Sequence, residues 1–387
     1  MMKLDKIMFK RNKGMRKERI LEPVEAIKNL SPYSPTSSMD TINDREKQKP
    51  YKLDWNEATI LPSPKVLEAM NKYLSGMNHL NWYPEILSRS LKKKLSTYVD
   101  LPEKNIIVTN GSDDALELVN KVFVNEGDRV IVPIPTYTHF YVHSGQRNAE
   151  IVKIASPDVF KTNLDGILKA ITDNTKIIYI VNPNNPTGVM YNEHQIRTIL
   201  THAAHAIVIV DEAYYEFAGI SMAHLVKEYD NIVVTRTFSK SFGLAAQRVG
   251  YMMASDMIVE NCMKIFNPKS VNRLGQIAAE AALDDIQHLN SYVKSVTEAK
   301  YILKRYFLSR GIEFRTTPAN YVLIQHSMAK TLVQLLQDEG VYVRDRTSQM
   351  DGYIRMSVGT VEQTEEVMAI FDKVLEKLNN IERNSFN

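Results

Sequence analysis

Four apolar runs in this sequence end on residues able to do chemistry: VTNGSDD (108–114), IVNPNNPTG (180–188), IVIVDEAYYEF (207–217) and VVTRTFSKSFGLAAQR (233–248). Lys240 follows an apolar strand directly and stands among Thr, Ser and Phe, with Arg248 eight residues on. Burial and a neighbouring cation both disfavour the ammonium form, so such a lysine can be a nucleophilic amine near neutral pH. Asp211 closes the run AIVIV. A carboxylate there is costly to bury unless something cationic meets it. Taken alone it reads equally as a helix cap, as half of a core ion pair, or as an anion held for a protonated ring nitrogen.

The other endings add pieces that are weak singly. Tyr214 can point a phenol at the place Asp211 faces, and Asn185 offers an amide from another strand end. Thr237, Ser239 and the backbone of Gly111–Asp113 supply hydroxyls and N–H groups at helix starts, where a phosphate is stabilised. Capping residues do the same in many proteins. Together, an activated lysine, an aspartate for a pyridinium, donors for a phenolate and a phosphate cradle point to one cofactor, pyridoxal 5′-phosphate.

These residues need a scaffold that gathers strand ends. From NIIVTN at 105 to NIVVTRTF at 231, short β-rich runs (RVIVPI, AEIVKIA, TKIIYIVN, HAIVIVD) alternate with helical stretches such as SDDALELVNKVFV and YTHFYVHSGQRN. That rhythm predicts an α/β fold with a mostly parallel sheet covered on both faces, its ligands at the carboxyl ends of the strands. After about Ser255 the pattern changes to long helices and a second, smaller α/β unit with strands near YVLIQH and YIRMSVG. The expected organisation is an arm over 1–24, a segment over 25–50 that joins the small domain, a large domain over 51–258 and a small domain over 259–387.

Bulk numbers exclude several classes. The chain has 387 residues, 44% hydrophobic, and a net charge of +3. Met1 to Lys28 carries nine Lys and Arg against four acids, so the basic excess lies in the arm and the remainder is close to neutral. Nucleic-acid binding by bulk electrostatics is therefore not expected. No apolar run reaches membrane-spanning length, no metal is called for, and the single Cys262 rules out an internal disulfide. The expectation is a soluble, cytoplasmic protein.

The order NPNNPTG, DEAY, then SK with an arginine eight residues on resembles the fold-type I pyridoxal-phosphate aminotransferases. With NLSPYSP, LDWNEATILPSPKVLEAM, NWYPE, TNGSDDALEL and YIRMSVGT, the likeness is above all to histidinol-phosphate aminotransferases and covers nearly everything after the arm. The resemblance implies that Lys240 carries the covalent bond to the cofactor and Asp211 pairs with its ring nitrogen. It also implies that Asn185 and Tyr214 hold the phenolic oxygen and that Tyr137 stacks on the ring. Ser112, Asp113, Thr237, Ser239 and Arg248 should grip the phosphate, joined by Tyr83 from the other subunit of a homodimer. Arg355 should take a substrate carboxylate as a bidentate pair, with Tyr33 and Asn56 also on the substrate side. Leu61 and Gln247 depart from the family's usual small or apolar residues beside the pocket. Decarboxylases of O-phosphorylated amino acids share nearly the same cofactor residues, so that reaction is the alternative to amino-group transfer.

Overall fold

The computed structural model describes residues 22–28, 30, 50–76 and 79–385; Tyr33 and nearly all of the basic arm lie outside them. A short strand β1 (Tyr51–Lys52) precedes the helix Pro64–Ser75, which begins on Ser63, whose hydroxyl accepts from Lys65 N–H, and on Pro64 in the first turn. The Val- and Ile-rich runs then become seven strands: β2 (Ile106–Thr109), β3 (Arg129–Ile134), β4 (Glu150–Ala155), β5 (Thr175–Val181), β6 (Ile207–Asp211), β7 (Ile232–Thr237) and β8 (Gly250–Ala254). They form one sheet in the order β2-β8-β7-β6-β5-β3-β4. All neighbours are parallel except β8, which runs antiparallel to β2 and β7.

The central strands are buried along their whole length apart from Lys176. A sheet covered by helices on both faces requires such runs. Side chains alternate between two cores: Ile178, Ile180, Val208, Val210, Ile232 and Val234 enter one, while Ile177, Tyr179, Ile207, Ile209 and Val233 enter the other. Asp211 continues the second series, so its carboxylate shares a face with Ile209 and Tyr179.

The C-terminal region builds a second sheet from β9 (Glu313–Thr316), β10 (Tyr321–Gln325), β12 (Arg344–Asp345) and β13 (Tyr353–Ser357) in the order β12-β13-β10-β9, all antiparallel. The short β11 (Val341–Tyr342) pairs instead with β1. The helices Ile286–Leu308 and Val361–Ser385 cover this sheet through Val296, Leu303, Val367 and Phe371.

The two units do not divide at one point in the chain. Leu53 packs in the second core, tying the start of the expected large domain to the small one. The helix Arg273–Leu283 buries Ala278, Ala279, Ala281 and Ala282 in the first core, well past the division expected after residue 258. The helix Ile286–Leu308 bridges them, with Leu289 in one core and Tyr292 and Val296 in the other. Among the described residues no helix is long and apolar enough to cross a membrane.

Candidate active site

A cavity of about 550 Å³ opens where the carboxyl ends of β5, β6 and β7 meet the face of the small sheet. At its centre, Lys240 lies three residues past the end of β7, partly shielded, and its Nζ donates to the carbonyl of Trp55 at 2.7 Å. Burial, and then the charge of Arg355, push its pKa from the ordinary 10.5 down to about 8. At about pH 7 such a group is about one-tenth free amine, several hundred times the share of an ordinary lysine.

Asp211 ends β6 at 4% exposure. Its Oδ2 accepts from Tyr179 Oη at 2.9 Å and its Oδ1 from Thr235 Oγ1 at 3.1 Å. Burial raises its carboxyl to about 6, with those hydroxyls pulling the other way. Among the described residues no cation is paired with it, so a buried anion faces the cavity without its counter-charge. The next residue behaves differently: Glu212 forms a buried ion pair with Arg236 at 2.9 Å and accepts from Met222 N–H, which fixes the turn after β6.

Tyr214 Oη accepts from Asn56 Nδ2 at 2.9 Å and from Asn185 Nδ2 at 3.3 Å. Both amides point at the phenol oxygen, and burial raises the phenol's pKa, so its proton stays in place for donation. Asn185 Oδ1 in turn accepts from Arg355 Nη1 at 2.7 Å. The peptide bond between Asn185 and Pro186 is cis, as are those before Pro135 and Pro183.

The other end of the cavity is an anion cradle. The helix Ser112–Phe123 starts there after Gly111, with no side chain capping it among the described residues, so its first N–H groups are open to a ligand. Thr237 Oγ1 donates to Ser239 Oγ at 2.9 Å, and Arg248 reaches Ala245 O at 3.1 Å and Ser239 Oγ at 3.4 Å. Gly111 has φ +85°, and a Cβ there would stand 2.5 Å from Arg248 Nη2. Only glycine lets the guanidinium close on the helix start. Asp113 also lines the cavity, but its carboxylate accepts from Tyr137 Oη at 3.1 Å. Its side chain anchors the Tyr137 ring, leaving its backbone N–H for the cradle.

Of the residues expected from sequence, Ser112, Asp113, Tyr137, Asn185, Asp211, Tyr214, Thr237, Ser239, Lys240, Arg248 and Arg355 all line this one cavity. Asn56 is fully buried behind its wall, against Tyr214. Tyr83 is far from it in character, 76% exposed with Lys269 Nζ over its ring at 4.3 Å. Tyr33 lies outside the described residues.

Two arginines beside Arg355 do not figure among the residues expected from the sequence. Arg344 and Arg355 are register partners on β12 and β13, and Arg346 follows just beyond; all three line the cavity. Among the described residues, Nε of Arg346 and Nε of Arg355 have no hydrogen-bond partner. Burial, then Arg355 and Arg344, bring Arg346 down to about 9. Like charges side by side cost stability unless an anion joins them. The alternation in VYVRDRT, two cations two apart after an apolar run, was the available signal.

The residues therefore fit pyridoxal 5′-phosphate: an activated amine, an unpaired buried carboxylate, a phenol aligned by two amides, and a cradle with hydroxyls, helix N–H groups and an arginine. The family model for class I and II aminotransferases matches residues 49–371. The dihydroxyacetone phosphate transaminase of Campylobacter jejuni is 35% identical over 347 residues, 88% of this chain and 94% of that one. The histidinol-phosphate aminotransferase of Methanocaldococcus jannaschii is 35% identical over 368 residues, 91% and 97% of the two chains. In structure, the chain is similar to the histidinol-phosphate aminotransferase from Sinorhizobium meliloti in complex with pyridoxal-5′-phosphate, at TM-score 0.83 and 23% identity, covering 92% of this chain and 98% of that one.

Proposed function

The chain belongs to the class I and II aminotransferases, and from that premise we propose that it moves an amino group between an amino acid and a small phosphorylated amine or ketone of the histidinol-phosphate type. It is a pyridoxal-phosphate-dependent enzyme. The observation that carries the substrate class is the group of three arginines on one wall of the cavity; among the described residues Nε of Arg346 and of Arg355 are unmatched donors and no carboxylate is bonded to either. Such a wall favours a ligand that brings more than one negative charge.

Bound pyridoxal phosphate supplies an electron sink for the bonds at the substrate's α-carbon. The chain's residues do the rest. Lys240 would hold the cofactor through its side-chain amine and would serve as the base for a proton at the substrate's α-carbon. Asp211 keeps a proton on the ring nitrogen. Tyr214 donates to the phenolic oxygen, with Asn185 beside it. Ser112, Thr237, Ser239 and Arg248 hold the phosphate, and Tyr137 covers the ring. Arg355 binds the carboxylate of the amino donor, while Arg344 and Arg346 face the phosphorylated end of the acceptor.

A homodimer is part of this reading. Leu67, Leu74, Leu80, Trp82, Tyr83 and Ile86 are exposed along the helix Pro64–Ser75 and the segment after it, an apolar band that a second copy would cover. Tyr83 would then serve the partner's phosphate cradle. A cytoplasmic setting is supported by the single cysteine, Cys262, a buried thiol pushed up to about 12 by burial. The test is spectroscopic. Glutamate alone should convert the bound cofactor to its aminated form, and a phosphorylated ketone such as dihydroxyacetone phosphate or imidazole-acetol phosphate should reverse it. Carbon dioxide release from phosphoserine or phosphothreonine, with no conversion by any amino donor, would overturn amino-group transfer.

A further inference from the structure

Asp211 is held by two hydroxyls that come from the strands on either side of it. Its register partner on β7 is Thr235, and its partner on β5 is Val181. Tyr179, two residues before Val181, is thus its diagonal neighbour on the same face of the sheet. That diagonal spans roughly 7–8 Å, a gap that a long aromatic side chain can close. Tyr179 closes it, donating to Oδ2 at 2.9 Å, while Thr235 donates to Oδ1 at 3.1 Å. Neither residue has any exposed surface.

The Tyr179 hydroxyl has no role in packing. Its ring is stacked on Phe140, centroids 3.8 Å apart and 11° between planes, within an otherwise apolar cluster. Phenylalanine would fill the same space, and among the described residues the hydroxyl's hydrogen-bond partner is Asp211. Burial first, then the charge of Asp211, raise the phenol's pKa well above the ordinary 10, so the group is a permanent donor.

We propose that Tyr179, together with Thr235, is a positioning residue: the two hydroxyls keep Asp211 an ionised and weakly basic acceptor, so that the proton it shares with a ring nitrogen stays on the nitrogen. The surroundings make such support necessary. Burial raises the Asp211 carboxyl to about 6, and Asp113, at the start of the helix Ser112–Phe123, pushes the same way. Tyr137 and Tyr214 are the other titratable groups coupled to it, and both are neutral phenols whose own pKa values are raised. Tyr179, Thr235 and the Ala213 N–H act in the opposite sense and favour the anion. Without the hydroxyls the carboxylate becomes more basic, and the shared proton moves towards it. The role is independent of which phosphorylated substrate the enzyme takes.

The test uses holoenzyme loaded with pyridoxal phosphate labelled with ¹⁵N in the ring, and follows the nitrogen's chemical shift with pH. Asp211→Asn marks the unprotonated end of the scale and wild type the protonated end. In Tyr179→Phe the nitrogen shift on its plateau near neutral pH should move from the wild-type value towards that of Asp211→Asn, as the division of the shared proton between nitrogen and carboxylate changes about tenfold, the size a hydrogen bond to a charged group carries. kcat should fall with it while KM for the amino donor stays put. Thr235→Val should move the plateau in the same direction, and Thr235→Ser should restore it. A plateau in Tyr179→Phe equal to that of wild type overturns the proposal, whatever happens to activity. Should Tyr179→Phe fail to fold, the Thr235→Val and Thr235→Ser pair probes the same effect from the other oxygen, and an unmoved plateau in Thr235→Val then overturns the proposal.

Discussion

Replacing Lys240 by methionine should make the cofactor-free protein more stable at neutral pH while abolishing turnover. In the folded chain the ammonium's pKa is lowered from 10.5 to about 8, first by burial and then by Arg355. A folded value below the unfolded one means that the native state binds this proton less well. The resulting penalty is absent above about 10.5, grows as pH falls, and is complete once pH drops below about 8. A drop of 2.5 units corresponds to about 3.4 kcal/mol. Because the cavity admits water to the side chain, we discount this to about 1.5–2 kcal/mol. Methionine removes the charge at similar length and also loses the 2.7 Å bond to Trp55 O, costing about 1 kcal/mol at any pH. The net expectation is a gain of about 0.5–1 kcal/mol at about pH 7, turning to a small loss at about pH 10. Urea unfolding of both proteins at the two pH values measures it. A difference between wild type and Lys240→Met that is the same at both would mean that the ammonium is not disfavoured in the fold and that the amine is not activated by it. Mass mapping after borohydride reduction of the holoenzyme adds an independent check, since the cofactor should be fixed on Lys240 and on no other lysine.

Asp211→Asn should keep its cofactor but lose on the order of 10²–10³ in kcat, the scale of removing one partner from a buried pair; near-normal turnover would make Asp211 a structural cap. Arg355→Ala should abolish conversion of the cofactor by glutamate yet spare most of the reaction with a phosphorylated amine that lacks a carboxylate, and equal losses in both would contradict the assigned role. Trp82→Asp together with Leu74→Asp should convert a dimer to monomers in sedimentation and cost cofactor retention. Unchanged mass would show that the exposed apolar band is not the interface.

Much of the large unit was legible because its physics is local. Runs such as HAIVIVD and NIVVTRTF can only be buried strands, and a polar residue that ends such a run must find a partner or a ligand. Asp211, Asn185, Thr237 and Lys240 stand out in the sequence on that ground alone. Other features depend on contacts between residues far apart in the chain. Tyr51 pairs with Val341 and Lys52 with Tyr342, so the segment that carries Trp55 and Asn56 is placed by the small unit. The helix expected from Tyr137 onward begins only at Phe140, because the chain from Pro135 to His139 turns to bring Thr136, Tyr137 and His139 to the cavity. Tyr179 was hidden for the opposite reason. In TKIIYIV it looks like one more apolar strand residue, and only the register with β6 reveals where its hydroxyl goes. Arg344 and Arg346 were overlooked among many surface-type cations, since nothing local marks the short strand β12 as the partner of β13.

The long-range contacts also explain why the two ends of the cavity are coupled. Asn185 has one donor end and one acceptor end, and both are used: Nδ2 towards Tyr214 Oη and Oδ1 towards Arg355 Nη1. Arg355 belongs to the small sheet and Tyr214 to the turn after β6. A second amide, Asn56, repeats the connection, donating to Tyr214 Oη through its side chain while its backbone N–H donates to Ser357 Oγ on β13. Asn320 Nδ2 then donates to the Asn56 carbonyl. Any movement of β13 against the large sheet therefore shifts the amides that orient the phenol. Arg355, proposed to bind the substrate's carboxylate, and Tyr214, proposed to bind the cofactor's phenolic oxygen, cannot be adjusted independently, because the same amide side chain bonds to both.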